Sequence, residues 1–337
     1  MTRAAVALLF VLSVLAAATV GDEDRDPRPV ASAPVTTTSS TTTTIELPTL
    51  TTTSTTVAPP ATLPPPPPGE AKVVVSHTGV VLPVAAVDGN AFRVTTPCGN
   101  TATVGGTPVP SAAVVLDAGH GGAEPGAVGP NGLTEKVLNL AVVQHAKAAL
   151  ERAGLTVVLT RTGDHRLPLE ARARIVKALQ PKAFVSVHHN AEPDGPFPKP
   201  GSETYYQTAS AESKRLAGLL YEEIVQALSQ YQVAWVADTD AGAKYRKSDS
   251  GDDYYGILRR TQGTPASLAE LAFVSNPPEA ELLTRPDVQQ VEGEAVARGI
   301  VRFLTTKDPG SGFTEPYPRT TPAGPGGGTR NCVDPPL

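Results

Sequence analysis

The stretch Val114-Val-Leu-Asp-Ala-Gly-His-Gly-Gly122 decides the fold. It reads as a short buried strand, Val114–Asp117, running into a glycine-flanked turn that carries His120. A continuous apolar run bounded by turn residues suits a strand covered on both faces. The period then changes. Leu138, Val142, Ala146, Ala149 and Leu150 fall at helical spacing, which predicts a helix from about Thr134 to Ala153, stopped by Gly154. Further along, strands are expected at 157–160, 183–187, 204–207 and 266–271. Helices are expected at 169–179, 211–229, 278–283 and 286–304. Strands alternating with helices predict an α/β domain over residues 111–305. Its core would be a mostly parallel central sheet of about six strands with helices on both faces.

Outward from that domain the composition shifts. Residues 71–110 alternate in the strand manner, with turns at HTG, DGN and CGN, and predict a small β-meander docked on the α/β domain. Residues 306–337 form a Pro/Gly-rich tail. Residues 19–70 are first Asp/Pro-rich, then Thr/Ser-rich, then proline-rich; such a segment cannot bury a core and reads as a linker. Residues 1–18 carry Arg3, an apolar run from Ala4 to Leu15 and small residues at 16–18, the pattern of a secretory signal. A membrane tether follows only if that leader stays uncleaved. No later stretch reaches the roughly 18 uninterrupted apolar residues of a membrane span. The net charge of −5 argues against nucleic acid as partner. Two cysteines, Cys98 and Cys332, exclude a Cys-rich zinc module and a disulfide-dense scaffold. In an oxidising compartment they are expected to pair.

In open α/β sheets, sites form at the carboxyl ends of strands. His120 stands at one such end, and His188 and His189 at another. Catalytic zinc takes three protein ligands and keeps one position open. Glu135, 15 residues after His120 at the start of the next helix, is the candidate third ligand, with Glu124 as a weaker rival. By strand alternation His189 should point to the opposite sheet face from His188. Glu270 lies inside the apolar run SLAELAF, where a carboxylate is costly unless paired or functional. His77, His145 and His165 occupy a turn, a helix face and a loop, and are read as non-ligands.

The ordered set VVLDAGHGG, GLTEKVLNL, FVSVHHNA, GSETYY, YYGILRR and ASLAELAFVSNP resembles the zinc-dependent N-acetylmuramoyl-L-alanine amidases of the amidase-3 type. The resemblance spans about residues 112–305. It implies one zinc held by His120, Glu135 and His188, with Glu270 as the catalytic glutamate. It implies hydrolysis of the amide between N-acetylmuramic acid and L-alanine, with peptidoglycan or its muropeptides as partner. His189 departs from the family pattern, which has a small residue there. Some relatives carry a helical plug over the site; between the strand at 204–207 and Tyr254 only one ordinary helix and a polar loop are expected here. Arg259 could meet a substrate carboxylate, and Asn190 could order the His188 loop. The leader and the substrate together point to a secreted protein acting in the cell wall or a periplasm-like space. The TPCGN segment resembles that of actinobacterial amidases. Two other readings stay open: a different secreted zinc peptidase of the wall, and a non-catalytic wall-binding protein.

Overall fold

The computed structural model describes residues 68–192, 201–233, 241–315 and 327–337. The predicted leader, and all of the linker except its last three residues, lie outside them. Two sheets stack. The first is antiparallel, built from β1 (Val73–Ser76), β2 (Val81–Asp88), β3 (Ala91–Thr95), β4 (Thr101–Val104) and β5 (Gly106–Val109) in the order β4-β3-β2-β1-β5. The first four strands make the expected meander. The fifth departs from it by crossing back to pair with β1.

The second sheet has six strands: β6 (Val114–Ala118), β7 (Val157–Leu159), β8 (Ala183–Asn190), β9 (Glu203–Tyr206), β10 (Gly242–Lys244) and β11 (Ala266–Phe273), in the order β10-β9-β11-β8-β6-β7. It is mixed, which corrects the expectation of a mostly parallel sheet. β7, β6, β8 and β11 run together, whereas β9 pairs antiparallel with β11 and takes β10 with it. The cause is the path of the chain. β8 ends at Asn190 and β9 begins at Glu203 at the same end of the sheet, whereas a parallel neighbour would begin at the far end.

Helices cover both faces. On one lie α1 (Glu135–Arg152), α3 (Ala211–Leu228) and α6 (Pro286–Thr305), closing a core around Leu116, Val185, Val187 and Leu271. On the other lie α2 (Leu169–Leu179) and α4 (Gly256–Arg260). They share a core with the first sheet through Val73, Val81, Val115, Phe184, Tyr205 and Leu268. The two sets of strand residues alternate, as a sheet buried on both faces requires. A short helix, α5 (Pro277–Leu283), follows β11. Its start is capped by Asn276, whose side chain accepts from the Glu279 N–H. Between β9 and Tyr254, α3 is the only helix among the described residues, and residues 234–240 lie outside them. No helix among the described residues is long and apolar enough to cross a membrane.

Candidate metal centre

β6 ends at Ala118 and the chain turns at once. His120 adopts a left-handed backbone with φ 60°, uncommon for a residue with a side chain. α1 begins at Glu135, and its first turn brings that carboxylate back over the strand ends. One oxygen lies 3.1 Å from His120 Nε2 and the other 2.8 Å from His188 Nδ1. The ligand atoms of the three residues all lie within 4.8 Å of one another. The two imidazoles stand edge to face, with centroids 5.0 Å apart. The His188 ring lies directly on Gly119, where a Cβ would come within 2.2 Å of it. Any side chain at 119 would push His188 out of the group.

Glu135 is nearly buried, which alone would raise its pKa. Hydrogen bonds and charge from His120 and His188 outweigh burial and hold it well below the carboxylate range. Three more donors orient it: the Ala127 N–H at 2.8 Å, the Asn139 amide at 3.2 Å and the His189 N–H at 3.3 Å. Burial lowers the His188 pKa, against the raising influence of Glu135. A neutral imidazole is the form that ligates a metal.

His189 lies on the opposite face, fully buried under α1 and α6. Its Nδ1 is 2.9 Å from Asn139 Oδ1, and its Nε2 faces the buried Glu292 carboxylate at 3.4 Å. Glu124 is not in the group of three; its carboxylate takes Arg166 Nε at 2.7 Å. Asn190 turns toward β9, donating to Glu203 at 2.8 Å and accepting from the Ala191 N–H. Glu203 also receives Tyr205 Oη at 2.6 Å and the buried Lys244 at 3.0 Å. Arg259 donates to the carbonyls of Asp253 and Tyr254. Glu270, half-buried on β11, is in register with His188 of β8 on one side and Glu203 of β9 on the other, so all three project from one face.

Sequence reasoning missed the residues that hold the turn. Asp117 is buried and paired with Arg172, Ser186 and Thr160. Burial would raise its pKa; the Arg172 charge and these hydrogen bonds keep it low. Arg172 also donates to the carbonyls of Ala118 and His120. Arg161, fully buried, donates to Ala118, Gly119, Gly163 and Lys136 carbonyls. One signal was available, an aspartate inside the apolar run of β6. In front of the group opens a cavity of about 530 Å³, lined by His120, His188, Leu169, Tyr255, Ile257 and Leu268 among others.

Residues 114–302 match the Amidase_3 family, N-acetylmuramoyl-L-alanine amidase. The chain belongs to that family. It is therefore a hydrolase of the peptidoglycan amidase class. Among curated proteins it is 36% identical over 206 residues to the uncharacterized protein YqiI of Bacillus subtilis, covering 60% of this chain and 88% of that one. It is 29% identical over 215 residues to the germination-specific N-acetylmuramoyl-L-alanine amidase of the same organism, covering 59% and 83%. Among solved structures, Cwp6 from Clostridium difficile superposes with TM-score 0.52 at 28% identity, over 58% of this chain and 30% of that one. An N-acetylmuramoyl-L-alanine amidase from Clostridium difficile 630 superposes with TM-score 0.50 at 27% identity, over 58% and 98%. The family match takes in β6 to α6 and leaves out the first sheet and the C-terminal segment.

Proposed function

We propose that this amidase is zinc-dependent and cleaves the amide between N-acetylmuramic acid and L-alanine of peptidoglycan. The observation that carries the reading is the convergence of two imidazoles and one ionised carboxylate at the mouth of a cavity. The donor set fits the metal. Two nitrogens and one oxygen are a zinc complement, and three protein ligands leave a position for water or substrate. His120, Glu135 and His188 would hold it. When bound, zinc lowers the pKa of a water molecule and polarises a carbonyl.

The chain's own residues supply the rest. The Ala127 and His189 N–H groups and the Asn139 amide orient Glu135, which would limit the ordering that accompanies metal binding. Glu270, one strand over from His188 and on the same face, is the proton carrier in this reading. It takes the proton of the attacking water and delivers it to the departing alanine nitrogen. Glu203 beside it is neutralised by Lys244, so it does not compete for that proton. Arg259 engages the Asp253 and Tyr254 carbonyls through Nη1 alone, so its other donors could meet a substrate carboxylate. The N-terminal leader pattern supports action outside the membrane, where this substrate lies.

Digestion of defined muropeptides tests the reading. Mass spectrometry should find a free L-alanine amino terminus and an intact lactyl carboxylate. New amino termini only at later stem-peptide positions would make the enzyme a peptidase. No products with zinc fully loaded would leave a wall-binding protein.

A further inference from the structure

The family match stops at residue 302, yet the last described segment, 327–337, returns to the cavity. Gly327 is part of the cavity wall, beside Leu169, in a cavity that His120 also lines. Its carbonyl accepts the N–H of Leu169, the first residue of α2, at 2.8 Å. A Cβ at 327 would lie 2.6 Å from Leu169 Cγ, and the backbone there has φ +80°, so only glycine brings the chain this close. The next carbonyl, Gly328, takes Arg166 Nη2 at 2.6 Å, and the same guanidinium holds Glu124 on the loop that follows His120.

The other end is fastened to the first sheet. Cys332 is disulfide-bonded to Cys98. The Asp334 carboxylate accepts from Thr96 Oγ1, the Cys98 N–H and the Asn100 amide at 2.8–2.9 Å. Thr78 Oγ1 donates to the Pro336 carbonyl at 2.6 Å, and Leu337 packs against the core of the sheet. The turn at 96–97 is itself tied to α2 through Arg174. Eleven residues thus span from the cavity wall to the small sheet, with a covalent bond near the far end.

We propose that this segment is a fixed wall of the substrate groove, held by the disulfide, and that it bears on the stem peptide and not on the sugar. The proposal rests on the amidase reading above. The wall on this side is apolar, formed by Leu167, Leu169, Tyr255, Ile257 and Leu268. The polar side chains below it, Asp117 and Arg172, are spent on each other. Sugar hydroxyls would find few partners here, whereas the stem peptide beyond L-alanine would bury apolar surface.

The test uses the full zinc-loaded chain, a Cys98→Ser/Cys332→Ser variant that frees the segment, and Gly327→Val, which keeps the disulfide but forces the wall off Leu169. Substrates are N-acetylmuramoyl-pentapeptide and N-acetylmuramoyl-L-alanine. Both variants should raise KM for the pentapeptide substrate by at least about fivefold, with kcat within about twofold and with KM for the short substrate little changed. Zinc content should match the wild type. Equal KM values in wild type and variants, or the same loss on both substrates, would overturn the proposal. If the double variant fails to fold, Gly327→Val alone decides. If the wild type cleaves neither substrate, the amidase reading falls, and calorimetric titration with the free stem pentapeptide takes over. Weaker binding by the variants then supports the wall, and equal binding refutes it.

Discussion

Replacing Glu279 by glutamine should flatten the fall in stability between about pH 4.5 and about 8. Glu279 is fully buried at the start of α5. Burial pushes its pKa from 4.5 up to about 8, helped by the nearby Glu292 charge and opposed by a hydrogen bond from the Phe273 N–H at 2.8 Å. The fold therefore holds Glu279 protonated at neutral pH. A group whose pKa is raised on folding contributes its full stability below the unfolded value and loses it as pH rises through the folded value. The loss should run from about pH 4.5 to about 8, at roughly 1.4 kcal/mol for each pH step. Its total is on the order of 5 kcal/mol. Glu279→Gln is neutral throughout and still accepts the Phe273 N–H. Urea denaturation of both proteins at pH 5, 6, 7, 8 and 9 gives the difference curve. The variant should match the wild type near pH 5 and be more stable by several kcal/mol at pH 9. Taking the difference removes groups whose pKa is lowered on folding. Asp117 and Glu135 are among them, as is His165, held to about 4 by burial and by Arg161 and Arg172. Those groups cost stability only toward acid. Two parallel curves would show that Glu279 is ionised in the fold and refute the reasoning.

The two site glutamates should fail differently. Glu270→Gln should keep zinc and lose at least about 10²-fold in kcat, while Glu135→Gln should lose the metal, as metal analysis of both variants will show. Asn139→Ala removes the amide that orients Glu135, and zinc affinity measured by competition with a chelator should fall about 10–100-fold. Arg172→Met strands Asp117 in the core and should cost about 3–5 kcal/mol in thermal or urea unfolding. Chelation should abolish activity and added zinc restore it; full activity in the presence of excess chelator would exclude the metal reading.

The elements of the α/β domain were legible because their hydrophobic periods are clean. The helix expected from Thr134 to Ala153 forms at Glu135–Arg152, and the one expected at 169–179 forms there. β8 extends to Asn190, past the end at Val187 that two consecutive histidines suggest. The strand continues because Glu292 and Asn139 make a pocket for His189. Strand direction was not legible. An apolar run reads the same either way, and the reversal at β9 comes from the return of the chain. β10 and α4 are three and five residues long, too short to carry a period. The grouping of His120, Glu135 and His188 was legible from two strand-end histidines and from the family resemblance, which favoured Glu135 over Glu124. The buried arginines were not, since Arg161 and Arg172 are types expected at the surface.

Those arginines explain how a strained turn can present His120. A left-handed backbone at His120 costs on the order of 1–3 kcal/mol. The carbonyls of Ala118, Gly119 and His120 all point inward, and each is taken by Arg161, Arg172 or both. Hydrogen bonds from a charged donor contribute about 1.5–3 kcal/mol each, so two offset the strain and the others lock it in. Burial and the neighbouring Arg172 lower the Arg161 pKa to about 10, which still leaves it charged at neutral pH. Asp117 and the carbonyl dipoles compensate the paired positive charge. With every peptide oxygen of the turn committed to the interior, the His120 ring is left toward Glu135 and the cavity. The aspartate of β6 thus acts at one remove. It anchors Arg172, Arg172 anchors the turn, and the turn sets the angle of His120.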